Sequence, residues 1–150
     1  MEKIKLKEIL IDECKKTQLK IIENSKIVMD EAQQSANEYG QPKDRYDSHR
    51  SQLLRKKDMI GQQMEKSMKE IAVLEKIEIS REHKTVSFGS VVITQDQKLF
   101  ISISAGKIEA DGEIYIAISP MVPFYAPIKG KMKGDEFEFR GSKNKIIDVF

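Results

Sequence analysis

The chain has a single cysteine, Cys14, and only two histidines, His49 and His83. One cysteine excludes an internal disulfide, and no Cys/His set has the spacing of a zinc site. A reducing, cytoplasmic setting is therefore the expectation. No apolar run is long enough to cross a bilayer, and the start Met1-Glu2-Lys3-Ile4-Lys5 leads into charged sequence rather than an apolar signal core. No excess of either sign of charge exists. The net charge is +2 over 150 residues, so only local clusters bear on nucleic-acid binding. There is no internal repeat, no low-complexity tract and no Walker spacing around the glycines.

What is present divides unevenly. All six phenylalanines lie at Phe88 or later, as do three of the four prolines, Pro120, Pro123 and Pro127. Ahead of them the chain is rich in Lys, Glu, Gln, Ile, Leu and Met, mostly good helix formers. Leu6, Leu10, Cys14, Thr17, Ile21, Val28, Ala32 and Ser35 recur at three-to-four spacing and predict one helix over about 3–39. Gly40 suits a helix stop and Pro42 enforces a break. Leu53, Ile60, Met64, Ser67, Ile71 and Leu74 predict a second helix from about Asp44 to about Ile77, weakened at Gly61 and interrupted at Lys57 and Ser67. Two long helices joined by a short break fold back antiparallel, and an arm of about 30 residues reaches about 45 Å. Such a hairpin is a binding device or a dimerisation coiled coil, and periodicity does not separate the two.

The expected domains are a helical hairpin over 1–79, a linker over 80–85 and a β domain over 86–150. Strand-like segments are Val86 to Ile93, Leu99 to Ile103, Ile114 to Ile118, Phe137 to Phe139 and Lys145 to Val149. Gly106, Asp111-Gly112, Gly134-Asp135 and Gly141-Ser142 mark turns. The stretch from Pro120 to Pro127 leaves room for a single helical turn at most.

Several ordered elements of the second half carry a resemblance. They are Val86-x-Phe88-Gly89-Ser90-x-Val92, then Glu109-Ala110-Asp111 with Gly112-x-Ile114, then Ile118-Ser119-Pro120. Last come Ile128-x-Gly130-Lys131-x-x-Gly134-Asp135 and a closing Ile146-Ile147-Asp148-Val149. In this order, after a hairpin of this length, they resemble the GreA/GreB (Gre) transcript-cleavage factors across essentially the whole chain. The resemblance implies an α+β fold: an N-terminal antiparallel α-helical hairpin, or coiled coil, followed by a small FKBP-like antiparallel β domain. It implies RNA polymerase as partner. The β domain would dock on the rim of the secondary channel through Ser119, Pro120, Gly130, Lys131, Gly134 and Asp135, and the hairpin would enter the channel. It also implies a monomer, no cofactor of the chain's own, and a share in the Mg²⁺ of the polymerase active site.

At the hairpin turn, Gly40 and Lys43 match the family pattern and Asp44 falls on its second acid. Gln41 replaces the first acid, Pro42 the apolar residue after it, and Asp47 falls on a later glutamate. Asp44, with Asp47 in support, would then be the catalytic acids, Asp44 sharing the polymerase metal ion through hard oxygen ligands. Lys43, Arg45 and Arg50 would meet RNA phosphates. The plainer reading makes Asp44 the N-cap of the second helix, Asp47 a partner of its dipole, and the basic run a solvated face. Tyr39 and Tyr46 either staple the helix ends or stack on a base. Two modes follow for the factor: stimulation of cleavage of backtracked RNA, or occupation of the channel with inhibition. The alternative from another class is an interaction module that dimerises through its hairpin. An isomerase reading from the FKBP-like fold predicts turnover of a proline peptide, and none is expected, because fold does not carry function. His49 and His83 are expected on the surface and Cys14 in the core.

Overall fold

A computed structural model describes residues 2–39 and 48–150. Its elements run α1 (Lys3–Tyr39), α2 (Ser48–Leu74), β1 (Val91–Thr94), β2 (Lys98–Ile101), β3 (Gly106–Ala110), β4 (Glu113–Ile118), β5 (Glu136–Phe139) and β6 (Ser142–Val149). The chain divides into two compact units, one of residues 18–71 and one of residues 1–17 with 72–150. The fold class is the one expected, a helical hairpin followed by a small β domain.

Within the unit of residues 18–71 the two helices lie antiparallel. Lys57 Nζ donates to Gln33 Oε1 at 2.7 Å, and four residues back along α1 and four on along α2 the Met29 methyl lies against Gly61. The side chains fully buried here are small or polar: Gln18, Ser25, Ala32, Ala36 and Ser67. Large apolar residues such as Ile21, Met29, Ile60 and Met64 are half-buried, because two helices without a third layer cannot enclose them. The expected stripe departs at its end. Ser35 is exposed and Ala36 takes the seam, one full α-turn on from Ala32.

The other unit is a six-stranded sheet of order β3-β4-β2-β1-β6-β5. Four pairings are antiparallel, and β2 with β4 is parallel, Leu99 opposite Ile116 and Ile101 opposite Ile118. That one parallel pair makes the otherwise antiparallel sheet mixed. The chain passes from β2 out to edge strand β3 and returns through a hairpin, so β4 runs alongside β2 in the same direction. That hairpin turns on Asp111 (φ 53°) and Gly112 (φ 75°). Two successive left-handed residues make the tight turn whose twist matches the flanking strands.

The sheet is covered on both faces. Val91, Phe100, Ile108, Tyr115 and Ala117 face Leu6, Leu10, Ile11 and Cys14 of α1 and Leu74 of α2. The alternate residues Val92, Leu99, Ile101 and Ile146 face Val86, Tyr125, Ile128 and Phe137. Burial on both faces explains why β1 and β2 read as continuous apolar runs rather than alternating ones. The second cover is irregular chain between Ser119 and Lys131. Successive turns bond Val122 N to Ser119 O, Tyr125 N to Val122 O, Ile128 N to Tyr125 O and Lys131 N to Ile128 O, and no helix forms. Phe124 packs edge-on against Phe137 and Phe139, with centroids 5.8 and 4.9 Å apart.

Two further boundaries differ from expectation. The second helix ends at Leu74 rather than near Ile77. Lys76 N and Ile77 N bond to the carbonyls of Val73 and Leu74, a tightened last turn. The stretch Val86 to Ser90 is not strand. Ser90 Oγ donates to Ser87 O at 2.7 Å, Ser87 N donates back to Ser90 Oγ at 3.1 Å, and Gly89 has φ 89°. A Cβ at Gly89 would lie 3.4 Å from Ile77 Cγ2, so the turn needs glycine for its conformation and leaves little room for more. β1 accordingly begins at Val91.

Cys14 is fully enclosed in the core, and burial pushes its thiol up to about 11. The nearby Ser102 hydroxyl, itself 1% exposed, offsets part of that shift. The folded thiol therefore keeps its proton between pH 9 and 11 while the unfolded one loses it. Its stabilising contribution is complete below pH 9 and is lost as pH rises toward 11, about 2–3 kcal/mol in all. Burial raises the Tyr115 and Tyr125 hydroxyls in the same sense, so the measurement is a comparison. Urea unfolding at pH 8 and pH 11 should show a smaller loss for Cys14→Ala than for the parent chain. Equal losses would mean the thiol does not titrate differently on unfolding.

Candidate functional site

The link between the two antiparallel helices is residues 40–47. Gly40, Gln41, Pro42, Lys43, Asp44, Arg45, Tyr46 and Asp47 lie outside the described residues, so the acids and two of the three basic residues expected to act there are not placed. Arg50 is placed, half-buried in the first turn of α2 beside His49. What the structure supplies is the pair of helices that flank this segment in sequence. From residue 18 to Tyr39, α1 alone is about 33 Å of helix.

The residues expected to dock are all in the sheet unit. Gly130, Lys131, Gly134 and Asp135 form one bonded turn system. Val86 N donates to Lys131 O and Gly130 N to Val86 O, both at 2.9 Å, while Gly134 N reaches Ile146 O at 2.7 Å. Asp135 Oδ2 accepts from Met132 N at 2.8 Å, and Ile146 N donates to Asp135 O at 2.8 Å. These positions hold the 130–135 loop against β6 and leave the Lys133 and Asp135 side chains exposed. Ser119 and Pro120 follow β4, and the Ser119 hydroxyl accepts from Met121 N at 3.2 Å. Met121 is 90% exposed. Lys131 lines an open groove of about 390 Å³ with Pro127, Glu136, Phe137, Glu138 and Lys143.

His83 is not the plain surface residue expected. It is half-buried, its Nδ1 is 2.8 Å from Ser87 Oγ, and its Nε2 lies against Gly89. Burial first, then the charges of Lys7 and Arg81, hold its imidazole below the ordinary histidine range. Sequence reading missed it because the Gly89 turn that covers it reads as strand. Lys7 is likewise buried, at 2% exposure, with Nζ donating to Arg81 O at 3.1 Å. Among the described residues no group of three or more His, Cys, Asp or Glu side chains could hold a metal ion. No described helix is long and apolar enough to cross a membrane.

The chain thus comprises a unit of two antiparallel helices and a six-stranded mixed β unit, the latter with an exposed loop face. No family model matches the sequence, and no curated protein matches it. Among solved structures the chain is similar to one described as the transcription factor Gfh1, with 16% identity over 91% of this chain and 93% of that one, at TM-score 0.37. It is also similar to GreA factor homolog 1 (Gfh1) of Thermus thermophilus, with 17% identity over 91% and 94%, at TM-score 0.34. Gfh1 of Thermus aquaticus gives 19% identity over 88% and 90%, at TM-score 0.32. Residue roles do not transfer at these identities and scores.

Proposed function

We propose that this chain is a Gre-like factor that binds RNA polymerase in its secondary channel and alters the polymerase's own catalysis. The observation that carries this reading is the antiparallel stem of residues 18–39 and 48–71, with Lys57 on Gln33 and Met29 on Gly61. It flanks in sequence the acidic and basic segment that resembles the Gre tip, and the resembling glycine-punctuated motifs follow in order in the β unit. The chain needs no active site of its own in this reading. Asp44, supported by Asp47, would help hold a Mg²⁺ ion and its water in the polymerase active site. Hard carboxylate oxygens suit that ion, and two metals then carry the phosphodiester cleavage. Lys43, Arg45 and Arg50 would meet the RNA backbone. Gln41 in place of an acid leaves fewer oxygen ligands, which favours weak cleavage or plain occupation of the channel.

The test is RNA cleavage by a stalled, backtracked elongation complex of the cognate polymerase. The full chain is added beside its Asp44→Ala variant. Stimulation that falls about 10–100-fold in the variant supports a cleavage factor. No stimulation, with displacement of an authentic Gre factor, supports a channel-occupying regulator. Neither stimulation nor displacement overturns the polymerase reading.

A further inference from the structure

One corner of the β unit gathers more basic than acidic side chains. A cavity of about 310 Å³ is lined by Lys3 at the start of α1, by His83 and Lys84, by Lys133, and by Phe150. A smaller recess of about 50 Å³ continues past Lys3 and Phe150 to Lys7 and Arg81. The Lys3 and Lys7 ammonium groups stand 5.1 and 6.0 Å from the centre of the Phe150 ring. Five basic side chains, Lys3, Lys7, Arg81, Lys84 and Lys133, thus share these walls with two carboxylates, Glu82 and Asp148. Neither carboxylate forms an ion pair with any of the five. The ion pairs among the described residues are Lys16 with Glu13, Lys69 with Glu65, and Lys98 with Glu113.

Lys7 makes this more than a basic surface. Its side chain is almost wholly enclosed, yet a single backbone carbonyl accepts from its ammonium group. An ammonium has three donors, and a buried charge without full compensation is costly. Burial, opposed by Glu82 and reinforced by Lys3, lowers its proton affinity. The same field reaches His83. A compact anion with several acceptor oxygens would satisfy the open donors and balance the excess charge.

We propose that this corner, built by Lys3, Lys7, Lys84 and Lys133 around Phe150, is a binding site for a phosphate group. The site is complete within one chain and requires no polymerase, so it stands or falls apart from the function proposed above. The larger cavity has room for more than the phosphate itself, so the group can be free phosphate or the phosphate of a nucleotide.

With only two histidines in the chain, proton NMR of the imidazoles reads the site directly. The full chain is titrated with sodium phosphate, with a nucleoside 5′-diphosphate, and with sodium chloride at matched ionic strength. Phosphate is expected to raise the His83 pKa saturably and leave His49 unchanged, because an anion beside the ring favours its charged form. Lys84 and Lys133 are exposed, so a Lys84→Ala/Lys133→Ala variant keeps the fold. It should bind about tenfold more weakly, the loss of charge-assisted contacts. Equal affinity for the two phosphates assigns free phosphate, and tighter binding of the diphosphate assigns a nucleotide. A chloride response as large as the phosphate response, an equal shift at His49, or undiminished affinity in the double variant overturns the site.

Discussion

Phe100→Ala is expected to destabilise the β unit by about 3–5 kcal/mol. Phe100 is 0% exposed and sits in β2, flanked by Val91 of β1 and Ala117 of β4. It is the largest of the fully buried side chains. Removing the ring forfeits its transfer energy and leaves a cavity walled by strand backbone on one side and by α1 on the other. Paired strands cannot close such a gap without breaking their register. Small domains are stable by only about 5–15 kcal/mol, so the variant should be close to unfolding at 37 °C. The check is the urea midpoint followed by loss of dispersed amide signals from β1, β2 and β4. A cost under about 1 kcal/mol would mean that the core described here is not the one that holds the sheet.

Leu10→Ala should cost about 2–5 kcal/mol, read from the same β-unit signals. By its place in a helix of 37 residues, Leu10 looks like one more rung of a hairpin stripe. Its 0% exposure and its cluster with Val91, Phe100, Ile103 and Tyr115 make it a core residue of the sheet instead. The matched control is Leu19→Ala in the same helix, 55% exposed, expected within about 0.5 kcal/mol of the parent. The contrast between the two leucines decides the point. If both substitutions cost little, the first turns of α1 are not part of the β unit's core. If Leu10 alone is costly, no fragment starting at the sheet can fold as the whole chain does.

Periodicity alone was sufficient for α1, whose bounds agree with the Gly40 stop and the 3.6-residue repeat of its apolar positions. Local turn chemistry marked the reversals at Asp111-Gly112 and Gly141-Ser142, the second one residue later than the structure has it. Asp111-Gly112 and Arg140-Gly141 carry the paired positive φ angles that such short loops demand. The loop from Gly130 to Asp135 bonds to Val86 and Ile146 through its backbone, and its glycines sit at positive φ, 73° at Gly130 and 91° at Gly134. β3 was not legible as a strand. Gly106-Lys107-Ile108-Glu109-Ala110 is an edge strand with exposed polar positions and little β propensity of its own, held by its pairing with β4.

What the sequence determined by itself is therefore local: helix or strand, where the chain must turn, and which faces are apolar. The partners of those faces were decided only in three dimensions. Nothing within Leu6 to Cys14 says that this stretch packs on a sheet whose strands begin at Val91, because burial depends on surfaces brought together from distant parts of the chain. The parallel pairing of β2 with β4 follows from the route through β3, and the enclosure of Lys7 and His83 from the turn at Gly89 and the carbonyl of Arg81. The reading of Asp44 and Asp47 as functional acids rests on the resemblance alone, and both lie outside the described residues. A carboxylate at the start of a helix caps it or binds an ion with the same oxygens, and only the partner it meets distinguishes the two.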